Sequence, residues 1–571
     1  MAARITTYVV VGIVAATLIA GLMVGAQRDD NSGPVDLIVF NAAIYTADES
    51  GTMAEAVAIR GNQILRVGSN REINRLRRPQ TTVVDALGAA VLPGFNDGDV
   101  QFIPGGIGLE TIDLLGAETT DDIQTRIKDW AAVHPDRLWV VGRGWDPEMF
   151  GATGPARHLL DAAIADRPVL LLSYDGRSAW LNTNALRRAG ITKRAPSRVG
   201  VAEDPRTGEP TGWLREDAVK VATRLVPPPS REDRAGGLRA AIAEAQRNGI
   251  TSVHDVTTGA DEFGVYEDAR RAGELNVRVY SSVRLDAAPG TGSPDPFSAI
   301  EALSSKYPDD PVFKVGGARI AIDGPVETGS AALLEPYERK GAPFAGDTAI
   351  APDALNRLVR LLDARGWQVT TEATGDRAVR MALDAFEHAR RSNPDTSRIR
   401  RHRIEGIGIV DAADLPRFKP LGLIASMEPL HGGSAEGHRN AWARNLGPDR
   451  AGRAWPYRSV GSAAAKLVFG TGWPTAPMSP MAAIHAAVNG AEASEARLPL
   501  KRAIDAFTSG PAFASFDEQR KGSLKPGMLA DLVVLSKDIF KAPASELGST
   551  TVAVTVFDGK IVYRRSTRAT D

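Results

Sequence analysis

The sequence predicts an α/β chain: a (β/α)8 barrel with a small β-sandwich built from both ends of the chain, preceded by one apolar N-terminal helix. Three observations carry this. Strand-length apolar runs alternate with amphipathic helical stretches through the middle, β-rich segments punctuated by glycine lie at both ends, and an uncharged stretch, Ile5 to Gln27, opens the chain. At 571 residues, 43% hydrophobic and 24% charged, it is long enough for one large and one smaller domain around a sizeable core. A net charge of −1 with both signs interspersed gives no electrostatic reason to expect a nucleic-acid partner. The absence of cysteine removes disulfides and thiolate metal ligands.

Within the opening stretch the most apolar part, Tyr8 to Ala26, would nearly cross a hydrocarbon core of about 30 Å as a helix. Residues 1–30 therefore read as a membrane anchor or signal segment. Arg4 before it, and Arg28, Asp29 and Asp30 after it, favour an inside N-terminus and a body exported to the periplasmic side of an inner membrane. Val24-Gly25-Ala26 resembles a cleavage site. A retained anchor is favoured, because the apolar run exceeds a usual signal core.

Short strands follow at Val35–Phe40, Ala56–Arg60, Gln63–Val67 and Thr82–Asp85, and again near the other end at Ala530–Leu535, Val552–Phe557 and Lys560–Tyr563. Gly61-Asn62 marks a hairpin. Residues 31–95 and 515–571 are thus expected to form one composite sandwich. Between them, strands are expected after the Ala90–Leu92 run and at Thr251–Val256, Val277–Val283, Val315–Ile322, Gln368–Ala373, His402–Ile407, Gly422–Met427 and Leu467–Gly470. Helical stretches such as Leu238–Asn248, Asp353–Arg365 and Asp376–Arg391 separate some of them, with apolar positions three and four apart. Eight such units over residues 96–514 predict a barrel whose chemistry sits at the C-terminal strand ends. An insertion, 103–226, with strands at Leu138–Gly142 and Val169–Ser173, is expected to cover the barrel mouth.

The first barrel strand leads into Leu92-Pro93-Gly94-Phe95-Asn96-Asp97-Gly98-Asp99-Val100-Gln101. Alternate side chains of a strand share a face, so Asp97, Asp99 and Gln101 point together. This segment resembles amidohydrolase family 3, the branch that includes N-substituted formamide deformylases, which reads close to P-G-F-x-D-x-H-x-H. Gly142-Arg143-Gly144-Trp145-Asp146, Ser173 to Asn182, Gly212 to Glu216, Asp323-Gly324, Ala331 to Tyr337, Gly375 to Ala378 and Gly522 to Gly527 carry the same resemblance across nearly the whole chain.

The resemblance implies a divalent metal such as zinc, yet the expected ligands are replaced. Asp99 and Gln101 stand for the two histidines of strand one, Glu372 for the histidine after strand five, Gly406 for that after strand six, and Gly472 for the aspartate of strand eight. Arg319 falls near a bridging lysine of strand four and, unlike it, cannot be carbamylated. The histidines point the same way: the closest pair of the eight, His431 and His438, is seven positions apart, whereas zinc sites commonly place two ligands close in sequence.

No cofactor is therefore expected. Asp99, Glu372 and Asp323 are the catalytic candidates, with Trp145, Arg177, Trp180, Arg319, Glu428, His431 and Trp473 lining the pocket. The carboxylates, Asp97 included, could pair with the arginines as a salt-bridge network, hold Mg2+ or Ca2+ through oxygen, or act as a metal-free acid and base. The expectation is an exported, membrane-anchored protein of this fold that binds a small amide-like ligand without metal-dependent hydrolysis. The alternative is hydrolysis of non-peptide carbon–nitrogen bonds through a rebuilt carboxylate and arginine site, or through scattered metal ligands. Nothing in the sequence fixes an oligomeric state or a protein partner.

Overall fold

The computed structural model describes residues 34–566 apart from 174–175, 177, 194–198, 216, 286–300, 303–304, 306–309, 339–342, 395–398, 432–441 and 491–496. The N-terminal apolar stretch and Arg177 lie outside the described residues. Among the described residues, no helix is long and apolar enough to cross a membrane.

Eight strands form one parallel sheet: β1 Phe95–Val100, β2 Ile250–Thr258, β3 Arg278–Leu285, β4 Phe313–Ala321, β5 Gln368–Glu372, β6 Arg403–Glu405, β7 Ile424–Met427 and β8 Lys466–Phe469. They pair in sequence order, as the alternation of strand and helix requires. The barrel is nearly closed, its seam made by a parallel bridge between Val100 and Trp473, just past β8. Two glycines let the seam close. A Cβ on Gly98 would lie 2.4 Å from Val468 Cγ1, and one on Gly470 would lie 2.6 Å from Asp99 Cβ.

The outer helices present the expected apolar stripes. Pro352–Ala364 buries Leu355, Val359 and Leu362, and Asp376–Ser392 buries Val379, Leu383 and Phe386 against the barrel. Strand bounds match the sequence expectation to within a few residues, because each inward and outward face is apolar or internally paired.

Both chain ends meet in one six-stranded sheet, where Leu532–Leu535 pairs with Ala90–Pro93 on one side and Val552–Phe557 on the other. A four-stranded sheet of Gln63–Gly68, Ala56–Arg60, Leu37–Phe40 and Thr82–Asp85 shares its core through Val57, Val91, Leu532 and Val554. Arg278, buried at the start of β3, donates to Asp531 at 2.6 and 2.9 Å and to Asp558 at 2.9 Å, joining barrel to sandwich.

The insertion differs from expectation at its start. The helix Phe102–Leu109 packs on Arg231–Arg247 of the barrel wall and is not part of the insertion's own layer. Backbones meet there: a Cβ on Gly106 would stand 1.8 Å from the Gly237 carbonyl oxygen. The insertion's six-stranded sheet has Ile112–Asp113 at one edge and Val201–Glu203 at the other, and these two with Ser178–Leu181 and Pro210–Arg215 lie beyond the two strands expected.

Candidate functional site

The site grows from the inner faces of β1, β4, β5 and β6 and the loop after β7. Arg319 on β4 is the centre. Its Nη2 lies 3.1 Å from Glu372 Oε2 and 3.6 Å from Asp99 Oδ2, and its Nε lies 3.3 Å from Glu405 Oε2. None of these three contacts uses Nη1. Arg319 and Glu405 are buried, whereas the Glu372 side chain is 40% exposed and opens the cluster outward.

Beneath this layer Arg403 spans the barrel interior. Its Nη1 donates to His254 Nδ1 at 2.8 Å, and its Nη2 donates to the Gly98 carbonyl at 2.9 Å and to Ser426 Oγ at 3.0 Å. Arg403 Nη2 also lies 2.7 Å from Glu405 Oε1. Glu405 is therefore held between two guanidiniums, a geometry that compensates a charge removed from water. Burial, and then the charge of Arg403, hold His254 well below the ordinary imidazole range, so it is neutral and accepts from Arg403.

At the rim, His431 Nδ1 is paired with Glu428 Oε2. Burial works to raise the Glu428 carboxyl, but the His431 imidazole and the proton held by Asp99 outweigh it and bring it well below the carboxylate range. Burial opposes charge on His431, yet Glu428, Glu327 and Glu372 hold its pKa above the usual imidazole value. Burial pushes Asp99 well above the carboxylate range against the pull of Arg319, so Asp99 carries a proton toward Glu428. Glu327 in turn accepts from Trp442 Nε1 at 2.7 Å, and Trp442 packs on Trp455 with ring centroids 4.0 Å apart.

The structure thus brings together Asp99, Arg319, Glu372, Glu428 and His431 from the sequence candidates. Asp323 has another task. Its carboxylate accepts backbone N–H groups of Ala332 at 2.8 Å, Thr374 at 2.8 Å and Gly375 at 2.9 Å, clamping the loops after β4 and β5. Asp97 accepts the Thr471 N–H at 2.8 Å and hydroxyl at 2.6 Å, tying β1 to the end of β8. Burial pushes both carboxyls up to about 7 against these donors.

The expected aromatic lining is elsewhere. Trp145 and Trp180 are fully buried in the insertion's own core, edge-to-face at 5.8 Å, their indole N–H groups donating to the Leu171 and Ala156 carbonyls. Two large rings in one chain segment bury most area against each other. Trp473 is buried against Phe102, with ring centroids 6.3 Å apart, and packs over Gly105. Gln101 directs its N–H to the Trp473 carbonyl at 2.9 Å.

Arg403 and Glu405 were not among the candidates. Their signal was present: two opposite charges at alternate positions of a strand, with Ile404 between them, share one face, and if buried they need partners there.

A divalent ion fits this donor set poorly. The guanidinium of Arg319 already lies against the carboxylates of Asp99, Glu372 and Glu405 that an ion would need. Among the described residues, no group of three or more His, Cys, Asp or Glu is placed to hold a metal ion.

The amidohydrolase family model matches residues 82–563, from the last strand of the N-terminal sheet to the last strand of the sandwich. The chain belongs to the amidohydrolase family. Among relatives of this amidohydrolase, Protein LONG AFTER FAR-RED 3 of Arabidopsis thaliana is 29% identical over 92% of this chain and 91% of its own. The N-substituted formamide deformylase of Arthrobacter pascens is 24% identical over 93% of this chain and 99% of its own. An uncharacterized metal-dependent hydrolase from Pyrococcus furiosus shares the fold, with a TM-score of 0.71 at 24% identity over 86% of this chain and 97% of that one.

Proposed function

We propose that this amidohydrolase hydrolyses a non-peptide carbon–nitrogen bond in a small amide-like substrate, using arginine and carboxylate side chains at the barrel mouth in place of a transition metal. Family membership and similarity to a formamide deformylase support the reaction class. The observation that carries the site is Arg319, a permanent cation fixed within 3.1–3.6 Å of three carboxyl groups at the C-terminal ends of the barrel strands. Its Nη1 edge is the donor offered to a developing oxyanion, and the buried surroundings make that interaction stronger than in water. This favours the alternative of a rebuilt site over a pocket that binds without turning over.

Purified full-length protein should hydrolyse members of a panel of N-acyl and N-formyl amines, and the rate should survive dialysis against a strong chelator. Stoichiometric transition metal together with chelator-sensitive turnover would overturn the metal-free site. Binding of panel members without any turnover would return the chain to ligand capture.

A further inference from the structure

We infer that Glu428 and His431 form the acid–base pair of this site, with His431 as the catalytic proton carrier and Glu428 as its positioning residue. The inference rests on the hydrolytic reading above and names the group that reading leaves unassigned. Arg319 can polarise a carbonyl but cannot take a proton, being charged at every relevant pH.

The geometry singles out His431. Its Nδ1 is pinned by Glu428, which fixes the ring and the tautomer, and its Nε2 is buried with no hydrogen-bond partner among the described residues. The side chain is 28% exposed, and its buried Nε2 lies toward Gly472, where a Cβ would stand 3.1 Å from it. A second observation is independent of the pair itself. Gly472, in the left-handed region at φ 69°, lies directly against it: a Cβ there would stand 2.6 Å from His431 Cε1 and 2.9 Å from Glu428 Oε2. The imidazole and carboxylate therefore occupy the room that any side chain at position 472 would need. A side chain at position 472 would have to displace this pair from where it sits.

The chemistry balances with water as the only co-reactant. His431 Nε2 accepts a proton from water as the water oxygen bonds to the substrate carbonyl carbon, and the C=O π electrons move to the oxygen. When the C–O π bond re-forms, the C–N bond breaks and the nitrogen takes the proton from His431. The products are a carboxylic acid, which loses its proton to solvent, and an amine. The base form is neutral imidazole, so the rate rises as pH passes upward through the His431 pKa. Glu428, Glu327 and Glu372 raise that pKa, and Asp99, Arg319 and Tyr457 face the same Glu428 carboxylate.

The test compares wild type with His431→Ala and Glu428→Gln on whichever panel substrate turns over. His431→Ala should lower kcat at least about 100-fold, with partial rescue by added imidazole. Glu428→Gln should move the acidic limb of the kcat/KM profile to lower pH, a change that a merely structural role for Glu428 would not produce. NMR titration of the His431 ring, run on the same proteins, reads the pair independently: its pKa should lie above the ordinary value in wild type and fall in Glu428→Gln. Full turnover in a folded His431→Ala protein overturns the acid–base assignment while leaving the hydrolase intact. An unshifted imidazole titration in Glu428→Gln overturns the positioning role. A chain that turns over nothing refutes the hydrolytic reading, and with it the catalytic role of His431, even where the NMR shift is present.

Discussion

Replacing Arg319 by methionine removes the cation that touches Asp99, Glu372 and Glu405 together, and its cost should depend on pH in a calculable way. At 3.3 Å and an effective dielectric of about 20, a single unit-charge pair such as Arg319–Glu405 is worth roughly 5 kcal/mol before desolvation is subtracted. The net loss is smaller, for three reasons. Glu405 keeps Arg403 at 2.7 Å, Asp99 already holds a proton, and Glu372 is 40% exposed and screened by solvent.

What remains is a buried mouth with one excess negative charge, which the variant can relieve by taking up one proton. For a glutamate that releases its proton near pH 4.3 in the unfolded chain, that uptake costs about 3.7 kcal/mol at pH 7 and about 1 kcal/mol at pH 5. The folded variant then binds more protons than the unfolded chain, so its stability relative to wild type falls as pH rises. Urea unfolding of wild type and Arg319→Met at pH 5 and pH 7 measures this directly. A destabilisation of about 2–4 kcal/mol at pH 7 that shrinks by more than half at pH 5 is expected. An equal loss at both values, or none, would show that the carboxylates do not depend on Arg319 for their charge.

Three further substitutions probe the frame around the site. Gly472→Ala forces a Cβ into the left-handed region and against His431, and should cost about 1–3 kcal/mol in thermal unfolding while lowering any turnover. Asp323→Ala leaves three backbone N–H groups without their acceptor and should cost about 2–4 kcal/mol, seen as raised amide exchange at Ala332, Thr374 and Gly375. Arg278→Met strands the buried Asp531 at the junction of barrel and sandwich and should cost about 3–5 kcal/mol in urea unfolding; an unchanged midpoint would mean that the two domains are held by apolar packing alone.

The strands were legible as apolar runs: the barrel strands recur at intervals along the middle of the chain, and the sandwich strands Ala56–Arg60, Thr82–Asp85 and Val552–Phe557 match residue for residue. The convergence of Asp99, Arg319 and Glu372 was legible too, since strand ends of a parallel barrel must meet. Arg403 and Glu405 were harder. Read one strand at a time, they are two charges beside the Gly406 that replaces a ligand, and their pairing with His254, Ser426 and Arg319 exists only once β2, β4, β6 and β7 close around one interior. Trp145 and Trp180 show the opposite limit. Their period-two placement says that they are buried, but not in which of two cores, and an insertion with a six-stranded sheet is large enough to claim them. The pinning of His431 by Glu428 follows from a turn in which the two lie three residues apart, a spacing that the sequence displays without revealing that Gly472 clears the space.

Using arginine as the fixed positive charge has a chemical consequence for the proposed hydrolysis. A metal ion does two jobs, polarising a carbonyl and lowering the pKa of bound water to about 7. A guanidinium does only the first, because it donates hydrogen bonds without binding water as a Lewis acid. The second job must then fall to a separate base, and the pH at which the rate rises must belong to that base. Of the groups at the mouth, Asp99 holds its proton, Glu405 sits between two guanidiniums, and Asp323 and Asp97 are occupied by backbone donors. Glu372 is engaged by Arg319 at 3.1 Å. His431 combines a raised basicity with a ring nitrogen that no group among the described residues occupies, so the inflection of the rate profile should lie above the ordinary imidazole value and should move when Glu428, Glu327 or Glu372 is changed.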